Sequence, residues 1–293
     1  MTAGATSRRL PTSPAAAREV RRRPGTLTSL HFPDPPDGFR WQRLRPGEPL
    51  EVLASIRFPA RHGFTCRMLT RQANAPPLGV RDGLEADLDL LERVAGAQAV
   101  HALRQVHGND VQVLGSVARP DALAVGDALV TRIPRTAVAI KAADCVPVLL
   151  ADPVSGAVAG AHAGWRGTLV RVVEAAARAL AAEAGAPPSR LNAVIGPAIR
   201  ACCFEVGPEV VSAFRDKGHD VDRFALRPRA TGRPHLDLVL ANRLQLLAEG
   251  LREDSIEDTA LCTRCQPVFH SYRREGPGVG RNWSVVAAGT ATA

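Results

Sequence analysis

No run of about eighteen apolar residues occurs anywhere in the 293-residue chain, so no segment is suited to span a membrane. The first residues contain no apolar signal segment, and Sec-type export is not expected. Six cysteines are too few for a disulfide framework in a chain this long, and several lie inside apolar segments. That usage fits a reducing cytoplasm with free or metal-bound thiols. Lysine is almost missing: Lys141 and Lys217 stand against a background in which every other basic residue is arginine. Such an imbalance reflects coding bias more than a surface selected for nucleic acid, so no specific nucleic-acid partner is expected even though the formal net charge is +8. No internal repeat is visible.

The charge is uneven. Residues 1–50 hold nine arginines and four acidic residues, and the remainder is close to balanced. Together with the Pro-, Ser- and Arg-rich run "TSRRLPTSPAAAREVRRRPGT", this marks residues 1–50 as a flexible basic extension and 51–293 as the folded domain. An Arg- and Ser-containing, acid-poor start also fits a transit peptide, but a plain extension is the simpler reading.

With 45% apolar residues, the remaining length can bury a substantial core. The spacing of Leu88, Leu91 and Val94 predicts a helix over 85–97. Residues 99–114 read as strand, turn and strand around His107-Gly108-Asn109-Asp110. Three apolar runs, 136–145, 146–152 and 156–164, read as neighbouring buried strands. Residues 168–188 predict one helix capped by Thr168 and stopped at Gly185. A strand over 191–196, helices over 207–218 and 236–250, and a last strand in "WSVVAAG" complete the pattern. Strands and helices mix without a βαβ rhythm, which points to an α+β fold.

Three residues at the edges of apolar strands can carry chemistry: His107 in "QVHGND", Cys145 in "KAADCVP" and His162 in "GAHAGWRG". Two imidazoles and a thiolate form a set that zinc accepts with a fourth position open. Their separation along the chain is too wide for a finger signature, and spacing alone favours two core histidines with an inert buried thiol. Cys262-Thr-Arg-Cys265 has half of a zinc-ribbon spacing, but no second such pair exists.

The blocks "HGFTCR", "QVHG", "ADCVPVLLAD", "GAHAGWRG", "IGPAIRACCFEVG" and "CTRCQPVFHSYRREG" resemble, in order, those of the multicopper polyphenol oxidase (laccase-domain) family. Members of that family are described as zinc-dependent purine nucleoside phosphorylases with adenosine deaminase activity, and some as peptidoglycan editing factors. The resemblance runs from about residue 60 to 287. It implies a single domain built as a layered sandwich of mixed β-sheets flanked by helices. It also implies a zinc site, with copper as an alternative ion, made by His107, Cys145 and His162 as ligands and catalytic residues. The partners it implies are adenosine, inosine, guanosine or methylthioadenosine together with phosphate, with the protein a cytoplasmic monomer or homodimer.

The neighbours of these residues extend the candidate site. Asp144, next to Cys145, either salt-bridges behind the site or orients a ligand imidazole. Arg166 either binds phosphate through its paired N–H groups or pairs with a carboxylate. Arg67 matches the arginine of the family's first block and is the expected anion-binding group, although the Gly pair that usually follows is replaced here by "MLTRQ". Arg273 or Arg274 can also face the pocket. The resemblance makes Cys262 part of a block, leaves Cys265 incidental, and makes Cys202 and Cys203 packing residues.

Two enzymatic alternatives remain. One is a cysteine hydrolase acting on peptidoglycan precursors with Cys145 as nucleophile. The other is a copper-dependent polyphenol oxidase, which the eight histidines and the lack of any His-X-His pair disfavour. A non-enzymatic binding role is the third possibility, against which the retention of all three ligands counts.

Overall fold

Two six-stranded sheets lie face to face, and the order of their strands decides where the candidate residues meet. The structure, a computed structural model, describes residues 34–35, 37–43, 51–55, 65–69, 84–117, 124–226 and 232–289. The first sheet contains β1 (Phe39–Arg43), β2 (Glu51–Ser55), β3 (Thr65–Leu69), β4 (Ala99–His101), β7 (Thr136–Ala142) and β14 (Asn282–Ala287), in the order β1-β2-β3-β14-β7-β4. The second contains β5 (Val111–Val113), β6 (Ala128–Thr131), β8 (Val146–Ala151), β9 (Val158–Ala163), β10 (Asn192–Ile195) and β13 (Ile256–Asp258), in the order β13-β10-β8-β9-β6-β5. Both are mixed: β4 runs parallel to β7, β5 to β6 and β10 to β13, whereas the other pairs are antiparallel. A short ribbon joins β11 (Ala225–Leu226) to β12 (His235–Leu236).

The described helices are α1 (Leu84–Ala95), α2 (Trp165–Leu169), α3 (Val172–Ala184), α4 (Pro208–Asp216), α5 (Leu238–Ala248) and α6 (Tyr272–Glu275). Alternating residues along the strands separate three apolar layers. Ala137, Ala139, Trp283 and Val285 pack against Leu88, Leu91 and Val94 of α1. Val138, Leu149, Val158 and Val286 fill the space between the sheets. Val148, Leu150, Ala159 and Ala161 turn outward against Val173, Ala177 and Leu180 of α3. The molecule is therefore the α+β layered sandwich that the resemblance implies. Because the central strands are covered on both sides, they read as continuous apolar runs rather than as alternation. The sheets pack tightly at Gly160, where a Cβ would stand 2.9 Å from Ile140 Cγ1.

Several sequence expectations change. Residues 99–114 form the expected strand, turn and strand, but β4 belongs to the first sheet and β5 to the second, so the segment between them is a crossover. Likewise β7 lies in the first sheet and only β8 and β9 are neighbours. The helix expected over 168–188 is broken. Arg171 adopts the left-handed conformation (φ 63°) and α3 starts after it. Thr168 does not cap α3; its hydroxyl accepts from Asn242 Nδ2 at 3.0 Å and its carbonyl from Gln245 Nε2 at 2.8 Å, which binds α2 to α5. Gly185 ends α3 in the left-handed conformation, as expected. The sheet also begins ahead of residue 50, because Phe39 of β1 is buried in the layer between the sheets.

Candidate metal centre

Both crossovers leave the first sheet at the same end of the sandwich, and each carries one of the predicted residues. His107 lies between β4 and β5, Cys145 between β7 and β8, and His162 near the end of β9. The Nδ1 or Nε2 atoms of the histidines and Sγ of Cys145 all lie within 4.8 Å of one another. Cys145 Sγ is 4.0 Å from His107 Nε2, and the imidazole rings meet edge to face with centroids 4.9 Å apart. His162 is buried, Cys145 half-buried and His107 exposed, so the cluster opens to one side. The three residues expected to converge do converge.

Asp127, which no sequence motif singled out, organises two of the three. Its fully buried carboxylate accepts the backbone N–H groups of Val106 (3.1 Å), His107 (2.9 Å) and Gly108 (2.7 Å), and it bonds Nδ1 of His162 at 2.9 Å. The first three bonds hold a turn in which His107 takes a positive φ of 65°. The fourth fixes the tautomer, with Nδ1–H donating to the carboxylate and Nε2 left to bind an ion. Burial works to raise the Asp127 pKa, but these hydrogen bonds hold it below the ordinary value. The crossover is also tied to β7, since the Gln105 side chain donates to Lys141 O at 2.8 Å and accepts from Lys141 N at 3.0 Å.

The cluster holds separated charge. Burial opposes ionisation of the Cys145 thiol, yet the positive charge on His162 and hydrogen bonds with both histidines pull its pKa down to about 6. Burial likewise opposes the charged form of His162, but the Cys145 thiolate and the Asp127 hydrogen bond raise it to about 9. A thiolate beside an imidazolium is what a metal ion replaces, by taking the place of the proton. The donors fit an ion in three further respects: their softness suits zinc or copper, Nε2 of His162 is aimed by its partner, and the space among them is kept clear. An alanine at position 164 would put its Cβ 2.9 Å from Cys145 Sγ and 3.0 Å from His107 Cδ2.

The cluster forms part of the wall of a cavity of about 520 Å³. Lys141, Arg166, Arg273 and Arg281 line it with Trp165, Phe204 and Leu238. Arg166 lies over the Trp165 ring at 4.3 Å and Arg273 over Phe204 at 5.4 Å. Burial, joined by the charge of Arg281, lowers the pKa of Lys141, with Asp87 acting the other way. Asp144 also lines the cavity, but its oxygens are taken: Thr263 Oγ1 donates to one at 2.6 Å and Arg273 N to the other at 2.6 Å. Asp144 does not orient an imidazole; Asp127 does that. With a φ of 94°, Asp144 sits in a turn instead of an extended strand. Arg273 faces the cavity, whereas Arg274 binds backbone carbonyls of residues 263–269. Arg67 lies on β3 opposite Val285, and its side chain falls outside the described residues. Lys141 and Arg281 escaped the sequence reading, although a charged residue within the apolar run "TAVAIKA" was a signal for Lys141.

Comparison with known proteins follows the same lines. The family model described as multi-copper polyphenol oxidoreductase laccase matches residues 81–289. A purine nucleoside phosphorylase of Deinococcus radiodurans is 36% identical over 257 residues, covering 82% of this chain and 93% of that protein. The adenosine deaminase RL5 of an unknown prokaryotic organism is 42% identical over 159 residues, 54% of this chain and 60% of its own length. A purine nucleoside phosphorylase of Bacteroides thetaiotaomicron is 43% identical over 156 residues, 53% and 58% of the two chains. The chain therefore spans about three-fifths of the length of these last two relatives. Among solved structures, YlmD from Geobacillus stearothermophilus superposes with a TM-score of 0.72 at 30% identity, covering 86% of this chain and 99% of that one.

Proposed function

Because the chain belongs to the multi-copper polyphenol oxidoreductase laccase family, we propose that it is a purine nucleoside phosphorylase with adenosine deaminase activity, built around a zinc ion held by His107, Cys145 and His162. The observation that carries this reading is the meeting of those three donors at a cavity lined by four cations. The names of the related enzymes supply the two reactions.

When bound, such an ion supplies Lewis acidity and acidifies water near neutral pH. The protein's own groups do the rest. Phosphorolysis breaks the bond from ribose C1′ to the purine nitrogen and joins C1′ to a phosphate oxygen, with a proton passing to the departing purine. Lys141, Arg166, Arg273 and Arg281 hold the phosphate, each guanidinium able to offer paired N–H donors. Trp165, Phe204 and Leu238 give the purine an apolar wall, and a cavity of about 520 Å³ lies within the usual range for a small-molecule site. Asp127 keeps both histidines in place without touching substrate.

The test is incubation of the purified protein with adenosine and phosphate, with metal analysis of the same sample. The expected products are adenine, ribose 1-phosphate and inosine, formed by zinc-containing protein and lost on chelation. Cys145→Ala should lower turnover by at least ~100-fold, the upper end of what losing an outer-shell partner costs. A second reading has its own support: the Cys145 thiolate beside a His162 imidazolium is the arrangement of an activated nucleophile. Full activity in chelated, metal-free protein would replace the zinc reading with that one.

A further inference from the structure

A second cluster lies apart from the three-donor site. Cys202 and Cys203 sit in a turn after β10, and Cys262 and Cys265 in a turn after β13. About sixty residues separate the pairs, but a parallel bridge between Ala198 and Cys262 sets the turns side by side, with Thr263 N donating to Ala198 O at 3.0 Å. All four Sγ atoms lie within 4.8 Å of one another. The separations are 3.6 Å for Cys202–Cys203, 3.8 Å for Cys202–Cys265 and 3.3 Å for Cys203–Cys265. Cys203 packs as expected, against Cys262, but Cys202 and Cys265 also bring their sulfurs to the same point, which the sequence did not indicate.

We propose that Cys202, Cys203, Cys262 and Cys265 form a closed tetrathiolate site for a structural zinc ion. Zinc–sulfur bonds of about 2.3 Å in a tetrahedron place the sulfurs about 3.8 Å apart, close to the separations observed. Hydrophobic packing accounts for Cys203 and Cys262, which are buried, but not for Cys202 and Cys265, which are exposed and still turn inward. The surroundings suit a dianionic centre, in which four thiols have passed their protons to solvent. Arg264 Nη1 stands 3.5 Å from Cys203 Sγ. Arg274 holds the loop that carries Cys265 by donating to the carbonyls of Thr263 and Arg264 at 2.8 Å each and to that of Phe269. The loop with CxxC spacing closes as a turn, Gln266 N donating to Cys262 O at 3.0 Å.

The placement gives the ion a purpose. Thr263, between two of the ligands, donates to Asp144, the residue before Cys145. Ile199 and Phe204, on either side of the cysteine pair, line the main cavity and pack against Cys203 and Cys262. An ion here staples two loops that form the cavity wall. This inference is independent of the phosphorylase reading.

The experiment is zinc analysis and cobalt substitution of the full-length protein and two single variants, Cys265→Ser and Cys145→Ala. Wild type should bind about one equivalent of zinc per chain more than Cys265→Ser, and Cys145→Ala should keep about one equivalent at the four cysteines whether or not the first site holds an ion. Cobalt-loaded Cys145→Ala should show the intense sulfur-to-cobalt charge-transfer bands of a tetrathiolate, and in Cys265→Ser these should fall to the much weaker band of the single Cys145 thiolate. If Cys265→Ser fails to fold, the cobalt spectrum of Cys145→Ala and a thiol count on denatured wild type decide. Zinc content in Cys265→Ser equal to that of wild type would overturn the proposal. So would a Cys145→Ala protein without sulfur–cobalt bands, or a thiol count short by two that revealed a disulfide among the four.

Discussion

The two clusters differ in donor number, donor softness and what stands beside them. His107, Cys145 and His162 are three mixed donors on the rim of a cavity, organised by one buried carboxylate. Cys202, Cys203, Cys262 and Cys265 are four sulfurs from two turns, with guanidinium groups around them. Three donors leave room for a substrate or water, whereas four complete a tetrahedron. On the two readings proposed above, the difference teaches that the chain separates chemistry from reinforcement, while Thr263 and Asp144 join the two clusters.

The strongest way to break this contrast is through Asp127, which touches the first cluster alone. Asp127→Asn leaves one acceptor oxygen for four donors and turns an NH₂ toward them. Zinc affinity at His107, Cys145 and His162 should fall by roughly 10–100-fold, with about 2 kcal/mol of stability lost. Competition with a chelating dye measures the first and denaturant unfolding the second. The tetrathiolate zinc should stay, and loss of both ions together would dissolve the distinction.

A smaller effect separates the clusters by pH. His162 carries a proton up to about pH 9 and Cys145 is a thiolate above about pH 6, so between these values binding an ion at this site must expel the His162 proton. Affinity should therefore rise with pH across this window by about tenfold per unit, with about one proton released per ion. Below pH 6 a second proton, on Cys145, competes as well and the dependence steepens. Calorimetry in buffers of different ionisation enthalpy, on Cys265→Ser protein, counts the protons. A flat profile would show that His162 is not the ligand.

The smallest expected effect sharpens the role of the cavity. Lys141→Met removes one cation from the phosphate side while keeping much of the side chain's volume. The KM for phosphate should rise about tenfold, corresponding to about 1.4 kcal/mol, with kcat and zinc content little changed. Initial rates at varied phosphate decide this, and a fall in kcat alone would place Lys141 in another role.

Much of this arrangement was legible in the sequence. Helices α4 and α5 and the antiparallel pair β8–β9 follow from periodicity and turn residues, because short-range pattern sets them, whereas the grouping of His107, Cys145 and His162 came from the family resemblance and not from their spacing. The strand, turn and strand over 99–114 did not reveal its pairing, because two apolar runs joined by a turn look alike whether they pair or pass to facing sheets. The break at Arg171 failed for a related reason. Bonds from Asn242 and Gln245 to Thr168, more than seventy residues away along the chain, bind α2 to α5 apart from α3. Asp127 carried no signal, since an aspartate before a strand is ordinary until its four donors are seen.

The sequence by itself determined which residue types were available and roughly where most strands and helices of the described residues lie, because apolar spacing and turn residues act over a few positions. Only the tertiary structure decided that two crossovers open at the same end of the sandwich, that Asp127 holds both histidines, and that four scattered cysteines face one point. Those outcomes depend on contacts between segments tens of residues apart, and such contacts exist only after the two sheets have packed.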